Sequence, residues 1–239
     1  MHESFSGAHL IRAPRWHFRR HFGAGARAAA SPRYHRAMDV EVAERARHWA
    51  ARYVELVEQF ALCPWAAPAR AKGEVWIAAC DEAELPDALT RFADDDHAVV
   101  GLIVVPGFVG DLTALRRLRG RLNEAPIGKR LALAEFHPDA PLDLESPQRL
   151  IPYLRRTPDP TLQAVRHETL ASLRRAPIML DAETQAAILA GRMVELPRDI
   201  GDRIADDNFA RAQAEGPALA AALDALIAAR RADPLAHPR

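Results

Sequence analysis

The chain predicts an α/β domain built on a small, mainly parallel sheet. Short apolar runs alternate with amphipathic helices between residues 39 and 136. The runs are continuously apolar, as in strands covered on both faces. Hydrophobic residues make up 49% of the 239, enough for a sizeable core. A β-α-β-α-β order implies right-handed crossovers between parallel strands.

The first helix is expected from an Asp39 cap to about Leu62. Val42, Ala46, Trp49, Tyr53, Leu56, Val57 and Phe60 follow one helical stripe. Val75–Cys80 reads as a strand ended by Asp81 and Glu82, and Leu85–Phe92 as a helix. Ala98–Val105 is a buried strand closed by Pro106 and Gly107. Asp111 caps a helix to about Leu122, and Leu131–Phe136 is the third strand. Pro138 to Pro160 holds six prolines among leucines, so it is expected to be an irregular but packed loop. Pro160 to about Arg174 reads as a helix opened by Asp159-Pro160. Beyond Pro177 the chain is Ala-rich and helical in pattern, with breaks near Pro197, Gly201 and Gly216.

Charge divides the chain more sharply than its total suggests. The 32 basic and 32 acidic residues cancel, which argues against a general nucleic-acid binder. Residues 1–37 nevertheless carry seven arginines against Glu3 alone, a net charge of +6. Their composition reads as a disordered segment, with Met38 as an alternative start. The expected organisation is therefore 1–37 disordered, 38–176 an α/β domain, and 177–239 a helical extension. Two cysteines, Cys63 and Cys80, suit a reducing cytoplasm rather than a disulfide framework. No apolar run approaches the length of a membrane span.

The richest chemistry lies in Arg155–His167, R-R-T-P-D-P-T-L-Q-A-V-R-H. On a helix, Asp159, Gln163, Arg166 and His167 share one face. Arg155 and Arg156 precede the helix start, where free N–H groups favour anions. These arginines suggest a carboxylate or phosphate pocket. The alternative is that they pair with local acids and fasten the loop. His137 ends the third strand, the usual ligand end of an open α/β sheet, and Glu135 shares its face. A hydrogen-bonded structural histidine is the plainer reading. Cys63, in L-C-P-W, is either a thiol activated at a helix start or a buried small apolar residue. No close metal-ligand spacing and no glycine-rich nucleotide loop occurs, so no metal is expected and any cofactor is unknown.

Three islands together resemble an uncharacterised bacterial family, number 1415 in the domain-of-unknown-function series. They are L-C-P-W-A at Leu62–Ala66, F-H-P at Phe136–Pro138, and R-x-P-x-P-T-L-x-x-x-R at Arg156–Arg166. The resemblance implies that Cys63, Pro64, His137, Pro138, Arg156, Pro158, Pro160 and Arg166 are the positions that matter. It implies no reaction. Asp159, Gln163 and His167 depart from the family pattern.

The leading expectation is a cytoplasmic enzyme, or a degenerate one, acting on a small anionic molecule. In it Cys63 is the nucleophile, His137 the acid/base, and Arg156, Arg166 and Arg155 hold the anion. The alternatives are a non-catalytic anion-binding or partner-binding module, and a protein in which every island is structural.

Overall fold

The computed structural model describes residues 38–174, 182–191 and 200–234. The expectation of disorder in 1–37 lies outside them.

Helix α1 (Val40–Gln59) starts where its sequence dictates: the Asp39 carboxylate accepts from the Glu41 N–H at 2.8 Å. It ends in a paired C-terminal turn. The Ala61 N–H donates to the Glu58 carbonyl and the Leu62 N–H to the Val57 carbonyl, with Ala61 at φ 46°. A left-handed alanine replaces the usual glycine here, so no sequence signal marks the turn that aims Leu62 and Cys63.

There follow α2 (Ala66–Ala71), β1 (Val75–Ala79), α3 (Leu85–Ala93), β2 (Val100–Val104), α4 (Leu112–Glu124) and β3 (Leu131–Phe136). All except the short α2 match the expected order. The Asp111 carboxylate caps α4 by accepting from the Ala114 N–H at 2.8 Å. Gly101 in β2 leaves room for the Phe92 ring, since a Cβ there would lie 2.9 Å from it.

Two expectations fail beyond β3. First, α5 (Pro147–Leu154) is a helix inside the proline-rich loop, with Ser146 as its cap and Pro147 at its first position. Second, the segment expected as a helix from Pro160 is mostly a strand, β4 (Thr161–Arg166); only α6 (His167–Arg174) is helical. Tertiary pairing overrides the local helix signal here. Pro160, which has no N–H to donate, offers its carbonyl to the Val105 N–H at 2.8 Å and so opens the strand without loss. Leu162 and Ala164 then point together into the core.

The sheet is consequently mixed rather than mainly parallel. Its order is β1-β2-β4-β3. Strands β1 and β2 are parallel, whereas β4 runs antiparallel to both β2 and β3. Leu102 pairs with Gln163, and Leu133 with Ala164.

Helices cover both faces. On one, α3 and α4 pack Leu85, Leu89, Phe92, Leu115 and Leu118 against Ile103, Leu131, Leu133 and Leu162. On the other, α1 and α5 pack with α8 (Ile200–Ala232) around Phe136, through Tyr53, Leu150, Leu219 and Leu223. Helix α7 (Ala182–Leu189) lies between them in sequence. Helix α8 runs unbroken through Gly216 and Pro217, where the sequence suggested a break. It belongs to the same unit as the sheet, Ala37–Arg239. Near its end, Arg230 donates to the Asp159 carboxylate at 2.8 Å, and both side chains are buried. Among the described residues, no helix is long and apolar enough to cross a membrane.

Candidate functional site

The end of β3 and the chain leading into β4 carry most of the residues singled out by sequence. His137 follows β3 and is buried. Its backbone N–H donates to the Arg155 carbonyl at 3.1 Å, on the side of β3 facing away from β4. Its ring is engaged at both nitrogens. Nδ1 accepts from the Asp139 N–H at 3.2 Å, which leaves the proton on Nε2, facing the Gly110 carbonyl at 3.2 Å. The ring therefore ties the β2–α4 loop to the end of β3, with no lone pair left for proton abstraction.

Arg155 lies just beyond α5, with its guanidinium over the Phe136 ring, 5.4 Å from the centroid. Among the described residues, no hydrogen bond or ion pair engages that guanidinium. Burial lowers its pKa, opposed by the nearby Tyr53 and Glu135 and assisted by Arg119. Tyr53 donates its hydroxyl to the Leu154 carbonyl at 2.7 Å. Burial pushes the Tyr53 pKa up, with Arg155 opposing and Cys63 adding to the rise.

Glu135 anchors the other half of the cluster. Its buried carboxylate accepts from Arg116 Nε at 3.0 Å and from Arg119 at 2.7 Å. The Nε of Arg119 is buried, with no hydrogen-bond partner among the described residues. Two guanidinium groups thus grip one carboxylate at an edge strand, Arg155 lies near enough to feel its charge, and Arg119 and Arg155 keep unused donors among the described residues. Arg119 belongs to a row of arginines on α4 that composition alone assigns to a solvated face. Tyr53 reads from sequence only as part of an apolar stripe. The pairing of α4 with β3 brings Arg119 in, a long-range fact with no local signal.

Cys63 is half-buried beyond the turn at Ala61. Burial raises its thiol pKa, against opposing hydrogen bonds from the Trp65 and Ala66 N–H groups. The backbone donors expected to activate it are present, but desolvation outweighs them. Cys80 is buried, and burial pushes its thiol up to about 12.

The remaining predicted residues are committed elsewhere. Arg156 donates to the Pro138 carbonyl at 2.9 Å and to Asp224 at 2.8 Å, and sits over Tyr153. Arg166 is at the opposite end of the sheet from His137, because Leu131 pairs with Arg166 and Phe136 with Thr161. Five strand steps separate those ends, roughly 17 Å. Its guanidinium donates to the carbonyls of Phe92, Ala93, Asp95 and Ala98, closing the C-terminus of α3. Asp159 is the buried partner of Arg230 rather than a helix cap, and its helical face with Gln163, Arg166 and His167 does not form. The structure thus brings His137, Arg155 and Arg156 to one end of the sheet, sets Cys63 near Tyr53, and leaves Arg166 apart.

Among the described residues, no group of three or more His, Cys, Asp or Glu side chains is arranged to hold a metal ion. No family model, curated protein or solved structure matches the chain.

Proposed function

We propose that this protein is a non-catalytic binder of a small anion, a carboxylate or phosphate, held at the outer edge of β3 by Arg155 and Arg119. One observation carries the reading. Arg155 is half-buried with its guanidinium over the Phe136 ring, yet no acid or carbonyl among the described residues takes up its donors. Partial burial makes this guanidinium's charge less favourable, and a bound anion offsets that through charge-assisted hydrogen bonds to its open donors. Glu135 holds Arg116 and Arg119 in place by accepting from both. The enzyme reading has less support, because the Cys63 thiol is held protonated and both His137 nitrogens are engaged. A cytoplasmic location, suited to two free cysteines, is part of the proposal. So is membership of the family whose three islands the chain resembles.

Calorimetric titration of the full chain with inorganic phosphate, and separately with acetate, tests it. Saturable binding of at least one is expected, weakened about tenfold or more by Arg155→Ala and unchanged by the control Arg117→Ala. Absence of saturable binding at millimolar anion, or binding indifferent to Arg155→Ala, refutes it.

A further inference from the structure

The charges at the outer edge of β3 do not balance, and the imbalance narrows the ligand. Arg116 and Arg119 reach Glu135 from α4, on the face where Leu131 and Leu133 pack. Arg155 comes from beyond α5 and lies over Phe136, on the face covered by α1 and α8. Its carbonyl accepts from the His137 N–H, which holds it to the same strand edge. Successive strand residues point to opposite faces, so the guanidinium groups converge on one edge from two sides. Among the described residues, Glu135 is the only carboxylate paired with any of the three. Both its oxygens are engaged, Oε1 by Arg116 and Oε2 by Arg119. Three positive charges thus share one negative charge, an excess of two. Neighbouring arginines each have an acid of their own: Arg156 has Asp224, Arg230 has Asp159 and Arg231 has Asp139. The crowding is felt, because Arg119 disfavours the charged form of Arg155.

We propose that the anion held at this edge is a doubly charged phosphoryl group, either free phosphate or the end of a phosphate monoester, and that the cluster discriminates against carboxylates. The inference rests on the anion-binding reading above and names the ligand class of that site. Charge is the first argument. A carboxylate cancels half of the excess, whereas a dianion cancels all of it and screens Arg119 from Arg155. Shape is the second. A carboxylate offers two oxygens in one plane, whereas a phosphate monoester offers three acceptor oxygens arranged about a tetrahedral centre. Donors that arrive from the two faces of a strand are not coplanar, so the tetrahedral set is the one that meets Arg119 and Arg155 together. The guanidinium fork matches two phosphate oxygens at a time, which an ammonium does not.

Calorimetric titration of the full chain with sulfate, methyl phosphate, inorganic phosphate and acetate, at constant ionic strength, is the test. Sulfate, a dianion throughout, should bind about tenfold or more tighter than acetate at neutral pH. Methyl phosphate sheds its second proton near about pH 6, so between about pH 5 and about pH 7.5 its affinity relative to sulfate should rise about tenfold. Arg116→Gln removes one charge of the excess and leaves Arg155 in place. It should weaken sulfate about tenfold but acetate only about threefold, because the interaction scales with ligand charge. Methyl phosphate as tight as inorganic phosphate supports a monoester end, and its exclusion supports free phosphate. Acetate as tight as sulfate, with both weakened by Arg155→Ala, overturns this inference and leaves the anion-binding reading standing. Saturable binding of none of the four overturns both. If Arg116→Gln fails to fold, the ratio of sulfate to acetate affinity in the unaltered chain decides alone.

Discussion

Replacing Arg166 by methionine should cost stability and leave anion binding alone. The change keeps an unbranched stem in the β4 position and deletes the guanidinium. Four carbonyls lose a donor: Phe92, Ala93, Asp95 and Ala98. The Phe92 ring also loses a cation 5.2 Å from its centroid. A hydrogen bond from a charged donor is worth about 1.5–3 kcal/mol when buried. Arg166 is only part-buried and one of the four bonds is long, so about 1 kcal/mol each is the fitting scale, or about 4 kcal/mol together. For a domain of this size that lowers Tm by roughly 10 °C. Arg166→Lys should recover only about 1 kcal/mol, since an ammonium cannot fork across carbonyls on both sides of the α3 end. Urea unfolding of the three proteins reads the difference directly, and hydrogen exchange should place the loosening in residues 92–98. A cost below about 1 kcal/mol, or a lysine as good as the arginine, would refute the assignment of Arg166 as a cap on α3.

Two further expectations use the same unfolding measurement. Asp159→Ala leaves Arg230 charged and buried, and should cost about 3–5 kcal/mol, whereas Asp159→Ala with Arg230→Met should cost less; equal costs would show that the pair is not coupled. Stability should also fall on the alkaline side. Cys63, Cys80 and Tyr53 all hold their protons more tightly when folded, because burial disfavours the ionised forms. The unfolded chain then loses protons first, so stability is full below about pH 9 and declines as pH climbs toward about 12. Cys80→Ala should flatten that decline, and an unchanged alkaline limb would contradict the burial of the thiol.

Most of the first hundred described residues could be read without coordinates, because their local and tertiary signals agree. Asp39 and Asp111 both cap where expected, and Leu131–Phe136 is a strand over its full predicted length. The misreading of β4 has a specific origin. Asp159, Gln163, Arg166 and His167 happen to be spaced like one helical face, and Asp-Pro imitates a helix start. Thr161 and Val165, both β-branched, pointed the other way. What decided the matter was a slot between β2 and β3, which no window of sequence can display. The helix at Pro147–Leu154 was legible in principle, since Ser146-Pro147 is a cap followed by a first-turn proline, but the density of prolines around it hid the signal. The candidate site divides similarly. Arg155 was visible as one charge among several. Its neighbours Tyr53, Glu135 and Arg119 come from three separate elements, and only the packing of α1 and α4 on β3 assembles them.

The central position of β4 has a consequence for synthesis on the ribosome. Among the described residues, strand β3 has no neighbour other than β4. A growing chain that has emerged only through Phe136 can pair β1 with β2, while β3 waits with both sides open. Thirty more residues must appear before Thr161–Arg166 can enter the gap and join the halves. The late strand therefore acts as a keystone, and a chain stalled before it exposes two unsatisfied apolar strands, the kind of intermediate that aggregates.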